Sequence, residues 1–331
     1  MAAPATAEAI RDVNARYHDA AADDYDYKWG IDFHEIGRRQ VLQKLRKGLG
    51  RAAEGPFASA LEIGAGTGYF SLNLLRAGIV GEATCLDISP GMLARRADNA
   101  QHLGLGGRVR TVAADAEALP FDDASFDLVL GHAVLHHLPD LDLAFSELRR
   151  VLAPGGWMFF AGEPSRHGDR LAAYPKRGAL RAAPVWRTLM RARPLGDGDG
   201  AAATAPAATA GHDLEPFVDV HAFDPGTLRS SAEAAGFEAV RVRGEELLAN
   251  WFGWANRTLE ATAEPDSVPT LWRHYAFRGY LALQSVDRAL LEPRLPPAVF
   301  YNLIVSARKP GARQVEVGIP SGRQKLGSGD V

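Results

Sequence analysis

The chain has 331 residues, enough for one α/β core with large additions or for two domains, and 47% hydrophobic against 23% charged residues is the balance of a folded globular protein. Its 37 Lys+Arg and 40 Asp+Glu nearly cancel, so no global positive field gathers a phosphate backbone, and the expectation is no nucleic acid partner. A single cysteine, Cys85, in an apolar run leaves no intrachain disulfide, and no stretch approaches the ~18 to 20 apolar residues of a membrane span; a cytoplasmic protein with no stable membrane insertion is expected.

From Phe57 to Pro164 short apolar, β-branched runs alternate with amphipathic stretches, the signature of βαβ units and a parallel sheet. Strands are expected at Ala58 to Ile63, Ala83 to Asp87, Val109 to Ala114, Phe126 to Leu130 and Trp157 to Gly162. A helix from Asp142 to Leu152 carries Leu143, Phe145 and Leu148 at helical spacing, with Pro154-Gly155-Gly156 as its stop. Ser165 to Arg193 is basic and helix-prone, and Gly196 to Gly211 is low-complexity, expected as a flexible loop. Asp224-Pro225 opens a helix through Ala235, Gly236 closes it, and strands Glu238 to Val242 and Val299 to Ser306 complete the sheet. More than fifty residues separate those two strands. They are expected to form a cap of two helices, with Leu247, Trp251, Trp254 and then Trp272, Tyr275, Gly279 and Leu283 at three-to-four spacing.

The segment Leu61-Glu62-Ile63-Gly64-Ala65-Gly66-Thr67-Gly68-Tyr69-Phe70 is a strand entering a glycine turn and a helix. Glycines allow positive φ and let a ligand pack against main-chain N–H groups at the helix start. A dinucleotide site wants a small residue where Tyr69 stands, and no P-loop lysine is present, so phosphate is not the expected ligand. Asp87 falls at a strand's carboxyl end beside the turn, where a carboxylate can accept two neighbouring hydroxyls of a ligand, and Asp115-Ala116 follows the third strand with an acceptor beside a backbone donor. Asp87 as a helix N-cap and Asp115 as a turn residue are the plainer alternatives.

Four stretches in order resemble the class I S-adenosylmethionine-dependent methyltransferases, specifically the ubiquinone/menaquinone-biosynthesis-like (methyltransferase type 11) group. They are E-I-G-A-G-T-G at Glu62 to Gly68, L-D-I-S-P-G-M-L at Leu86 to Leu93, A-D-A-E-A-L-P-F at Ala114 to Phe121, and F-D-L-V through H-H-L-P-D at Phe126 to Asp140, followed by E-L-R-R-V-L-A-P-G-G. The resemblance implies an α/β, Rossmann-like, seven-stranded, mostly parallel sheet with helices on both faces, an antiparallel last strand, an N-terminal helical lid and helical cap insertions. It implies S-adenosyl-L-methionine as cofactor, bound by Gly64, Ala65, Gly66, Gly68, Asp87, Asp115 and Ala116, with Ile88 and Met92 as apolar faces for the purine and the Gly131 and His132 carbonyls on the methionine ammonium. Glu62 either reaches that ammonium through water or the loop, or simply satisfies loop N–H groups.

The N-terminal H-D-A-A-A-D-D-Y-D, His18 to Asp26, resembles the family's lid motif, with histidine where tyrosine is usual. Tyr25 could lie near the sulfonium; the alternative is that Tyr17, Tyr25 and Trp29 only pin the segment to the sheet. The resulting organisation is a lid at 1–50, the core at 51–164, an insertion at 165–222, core at 223–244, a cap at 245–297, the last strand at 298–310 and a disordered tail at 311–331. His132, His136 and His137 lack a third ligand in the sequence pattern, so no metal is expected. No catalytic residue is assigned; His132 is the first candidate for a general base and Glu163 the second. Trp186, Trp251, Trp254, Trp272, Phe252, Tyr275 and Phe277 exceed what docking needs, pointing to an apolar pocket for a small-molecule acceptor, or alternatively to a larger core or a homodimer interface. An inactive cofactor-binding scaffold is the competing function.

Overall fold

The computed structural model describes residues 6–195, 214 and 217–311. One sheet holds β1 (Phe57–Ile63), β2 (Val80–Asp87), β3 (Val109–Ala113), β4 (Phe126–His132), β5 (Leu152–Pro164), β6 (Glu238–Glu245) and β7 (Asn302–Arg308). Their order is β3-β2-β1-β4-β5-β7-β6. The β1, β2, β3, β4 and β5 pairings are parallel, and β7 alone runs against its neighbours β5 and β6. The order reverses between β1 and β4, so a crevice opens over the carboxyl ends of those two strands, where ligands of such sheets bind.

Period-two alternation along each strand feeds two cores. Leu128, Leu130, Phe159 and Ile304 meet α3 (Glu35–Leu49), α4 (Tyr69–Arg76) and α5 (Pro90–His102) on one face. Val129, Met158, Phe160, Leu303 and Val305 meet α6 (Leu141–Val151) and α8 (Pro225–Ala234) on the other. Each fully buried Leu or Phe in these layers contributes about 1.5–3 kcal/mol relative to exposure. Val41, Leu45 and Leu49 lie on one stripe of α3 and are fully buried, which places this helix in the core rather than in the expected lid of residues 1–50. α1 (Ala7–Ala21) and α2 (Tyr25–Trp29) pack on the loops after β1, β2 and β3. Asp224 caps α8 by accepting from Gly226 and Thr227, as the sequence indicates. Leu152 and Pro154, expected at a helix stop, already belong to β5, and Gly155 takes φ +83° there.

The insertions form α7 (Arg166–Met190), α9 (Leu248–Glu260) and α10 (Thr270–Val286). Trp186, Ala192, Ala263 and Val268 bury against Met190, Leu259 and Trp272, a small core that belongs to the cap itself. The low-complexity run at 196–211 and the expected disordered tail beyond 311 lie outside the described residues. Among the described residues no helix is long and apolar enough to cross a membrane.

Candidate functional site

Three positive φ angles, +56° at Gly64, +48° at Gly66 and +96° at Gly68, turn the chain from β1 into α4. The three glycines do different work. A Cβ at Gly64 would meet Val134 Cγ2 at 2.4 Å and one at Gly68 would meet Leu72 Cδ1 at 2.8 Å, so both are required by packing. A Cβ at Gly66 would meet nothing within 4 Å. It faces open space, the one place on the turn where a ligand can lie against bare main chain.

Asp87, at the end of β2, is 7% exposed and accepts the Gly66 N–H at 2.8 Å through Oδ2 and the Ser89 N–H at 2.9 Å through Oδ1. Burial pushes its pKa up, opposed by His18 and by those N–H groups. Ser89, not Asp87, is the N-cap of α5, accepting from Met92 N–H, which removes the plain N-cap reading of Asp87. Glu62 is buried beneath the turn, where its carboxylate accepts from the Phe70 and Ser71 N–H groups at 3.3 and 3.2 Å and faces Cys85. Glu62 therefore anchors the start of α4. Burial raises its pKa, partly offset by Ser71 and Arg96. Cys85 is buried with its thiol pushed up to about 12 by burial, an inert group.

The lid fastens to the same loops. Arg11 of α1 pairs with Asp115 at 2.6 Å and with the buried Glu117. Asp19 accepts from Ser89 Oγ at 2.6 Å and from the Gly91 N–H at 2.8 Å. Asp26 accepts from the Thr67 hydroxyl in the glycine turn. Tyr25 is half-buried, and its hydroxyl is pushed well above the usual phenol range by burial, with Tyr17 and Asp87 adding to it. Ala116 is buried at the loop after β3, Ile88 half-buried beside Asp87, and Met92 packs fully buried against Ala21, Ala22 and Tyr25 of the lid. Of the expected cofactor residues, Gly66 and Asp87 are joined by a hydrogen bond, while Asp115 is held by α1 and Met92 packs against α1 and α2.

His132 ends β4 and is half-buried, its ring stacked on Phe70 at 5.2 Å and edge-on to Tyr69 at 5.5 Å. Burial, with Lys44 adding to it, pushes its pKa down to about 4, so the imidazole is neutral at pH 7. Glu163, the second base candidate, is 0% exposed and spent on structure: it accepts from Val134, Leu135 and His136 N–H groups and from His136 Nδ1 at 2.8 Å. Burial lowers the His136 pKa, the Glu163 carboxylate outweighs it, and the net shift is upward. His132 stands apart from His136 and His137. The missing third ligand is present in space, because Asp219 comes within 3.5 Å of His136 Nε2 and 3.4 Å of His137 Nδ1; the latter nitrogen already bonds the Val218 carbonyl at 2.9 Å.

The aromatic residues expected to line an acceptor pocket divide. Trp186 and Trp272 pack on each other at 5.3 Å inside the cap core, and Phe252 pairs with Tyr275. Trp254 is covered by Lys176 at 3.9 Å and flanked by Arg257, whose guanidinium also lies 5.6 Å from the Trp29 ring of the lid. That last contact joins lid and cap beside the crevice.

Sequence reasoning missed a buried charge network at the carboxyl end of β6. Lys44 pairs with Glu245 and, at 3.3 Å, with Glu246; Lys47 bridges Glu245 and Glu292; Tyr280 donates to Glu246 at 2.7 Å. Burial works against the Glu246 carboxylate, yet Lys44 and Tyr280 bring its pKa down to about 2, and Glu246 holds φ +63°. Two lysines three apart on the apolar stripe of α3 were the available signal.

Residues 61–160 match the family model described as a methyltransferase domain. The chain is 38% identical over 146 residues to a malonyl-[acyl-carrier protein] O-methyltransferase of Halorhodospira halophila, covering 44% of this chain and 46% of that protein. It is 41% identical over 97 residues to a ubiquinone/menaquinone biosynthesis C-methyltransferase of Idiomarina loihiensis, covering 29% and 39%. The matched region spans about half the length of these curated relatives, or less. Among solved structures the [4+2]-cyclase SpnF aligns over 94% of this chain and 100% of its own at 20% identity and a TM-score of 0.55, a likeness of fold.

Proposed function

We propose, from a domain at residues 61–160 that belongs to the class I S-adenosylmethionine-dependent methyltransferases, that the chain is an enzyme transferring a methyl group to an O, C or N atom of a small apolar or aromatic acceptor. The observation that carries this reading is Gly66, open on the side where a Cβ would stand, with the Asp87 carboxylate hydrogen-bonded to its N–H. When bound, S-adenosylmethionine supplies an electrophilic methyl carbon on a sulfonium. The residues around the cradle fit that group. Asp87, buried and already holding two backbone N–H groups, retains lone pairs for the ribose hydroxyls. Asp115 and the Ala116 N–H offer the acceptor and donor that an adenine edge requires, once Arg11 yields or shares Asp115. Helices α1 and α2 would exclude water from the site, and Tyr25 of α2 lies close enough to feel the Asp87 charge.

His132 is the group best placed to receive a proton from the acceptor, since it is neutral, half-buried and at the carboxyl end of β4. The acceptor sits between lid and cap, where Trp29 and Arg257 meet. The relatives, an O-methyltransferase of malonyl-[acyl-carrier protein] and a C-methyltransferase of ubiquinone/menaquinone biosynthesis, support O or C as the methylated atom. Calorimetry with S-adenosylmethionine and its demethylated product, followed by incubation of labelled cofactor with phenols, quinols and acyl acids, tests the reading. Nucleoside binding and product with an apolar or aromatic acceptor are expected. No binding overturns the proposal, and binding without transfer to any acceptor favours the inactive scaffold.

A further inference from the structure

Helix α7 lies far in kind from the rest of the surface. Its 25 residues contain six Lys or Arg (Arg166, Arg170, Lys176, Arg177, Arg181, Arg187) and a single acid, Asp169, in a chain whose net charge is −3. The inner side, Gly168, Ala172, Ala179, Ala183 and Trp186, is buried against the cap. On the opposite side one stripe at three-to-four spacing reads Arg166, Arg170, Tyr174, Arg177, Arg181, Val185, Leu189, all of them exposed. Tyr174, Val185 and Leu189 are 67%, 64% and 72% exposed. Among the described residues none of the four arginines of the stripe pairs with a carboxylate, although a basic helix on an acidic protein could readily find one. The Trp186–Trp272 contact, on the buried side of α7, sets its C-terminal end beside the start of α10, where Leu271 is 80% exposed.

We propose that this face of α7 docks the protein on an anionic lipid surface, the guanidinium groups on lipid phosphates and the Tyr174, Val185, Leu189 and Leu271 side chains in the interfacial layer. The charge identifies an anionic partner, and the geometry identifies a sheet of it. The stripe extends about 35 Å at 1.5 Å per residue, along a helix that also contains Pro175 and Pro184, and mixes arginines with apolar side chains over that length. Arg matches phosphate oxygens through paired N–H donors, whereas the apolar side chains gain nothing from a strongly hydrated acidic protein surface. Because the net charge of the whole chain is repelled by such a surface, attraction is local and fixes one orientation, with α7 down. The proposal is independent of the methyl-transfer reading and concerns a different surface.

The test is cosedimentation of the full chain with vesicles of phosphatidylcholine alone or with phosphatidylserine added, at low and high salt. Binding to the anionic vesicles alone, weakened by salt, is expected. Each neutralised arginine should lower partitioning about fivefold, so R166Q/R170Q/R177Q/R181Q should reduce it by two to three orders of magnitude. A second variant, Leu189→Ser with Leu271→Ser, keeps the charge and should weaken binding to the anionic vesicles without altering circular dichroism or nucleoside binding. The proposal is overturned if anionic vesicles do not pellet the protein, if the quadruple variant binds as well as the parent, or if light scattering shows a dimer that the Leu189→Ser/Leu271→Ser variant converts to monomer. Retention on polyglutamate without retention on vesicles also overturns it, in favour of an acidic protein.

Discussion

Replacing Gly66 by alanine separates what the turn needs to fold from what it needs to bind. At Gly66 the backbone is left-handed, φ +48°, and an alanine there costs about 1–2 kcal/mol of strain, but the new methyl meets no protein atom within 4 Å. Thermal unfolding should therefore shift down by only a few degrees. The same methyl stands in the space proposed for the nucleoside against the Gly66 main chain, whose N–H Asp87 already holds. An added methyl in a filled site costs about 1–3 kcal/mol, which raises Kd roughly 5- to 150-fold. Gly64→Ala is the matched control: its φ is +56°, nearly the same, but its Cβ would lie 2.4 Å from Val134 Cγ2, so it should lose much more stability. Isothermal titration with the demethylated nucleoside, alongside melting curves of both variants, provides the comparison. If Gly66→Ala binds as tightly as the parent, the open cradle is not where the cofactor sits and the site assignment fails.

Other outcomes follow from the same geometry. Glu163→Gln places an amide donor against backbone donors and the His136 ring nitrogen; a loss of about 3–5 kcal/mol in denaturant unfolding is expected, and a loss under 1 kcal/mol would show that Glu163 does not hold the β4 loop. Arg11→Ala releases Asp115 and the buried Glu117, and should speed nucleoside dissociation and expose α1 to limited proteolysis, while unchanged dissociation would separate the lid from cofactor retention. His132 sets a pH dependence. Its folded pKa of about 4 lies below the unfolded value near 6.5, so between those values the unfolded chain takes up a proton that the folded chain refuses; stability present above about 6.5 is lost as pH falls toward 4, by at most about 3 kcal/mol given partial exposure. Urea midpoints of the parent and His132→Phe between pH 4 and 7 should converge at the acid end, and parallel curves would contradict the assignment.

Local chemistry wrote the central half of the fold plainly. Short β-branched runs marked β1, β2, β3 and β4, the Asp224-Pro225 pair marked the start of α8, and the glycines marked the turn, because each of these is decided by neighbours a few residues away. Strand ends ran longer than expected, β5 beginning at Leu152 and β6 extending to Glu245, since pairing partners supply the hydrogen bonds that composition alone does not announce. What stayed hidden depends on contacts between distant segments. Asp219, beyond the low-complexity run, reaches His136 and His137; Lys44 and Glu245 meet across about two hundred residues; and Arg11 covers Asp115. The tryptophans of the cap illustrate the same limit, because composition marks Trp186 and Trp272 as apolar surplus without revealing that they pack on each other.

The lid's three clasps have a kinetic meaning. Arg11 on Asp115, Asp19 on the start of α5 and Asp26 on Thr67 tie α1 and α2 to three separate loops around the glycine turn, so a nucleoside held there as proposed leaves only once these ties loosen. Each fastening is polar and partly wet, cheap to undo singly, whereas their simultaneous undoing is a rarer fluctuation. Under the proposed function, exchange of the nucleoside waits on α1 and α2, which then set its pace as well as covering it.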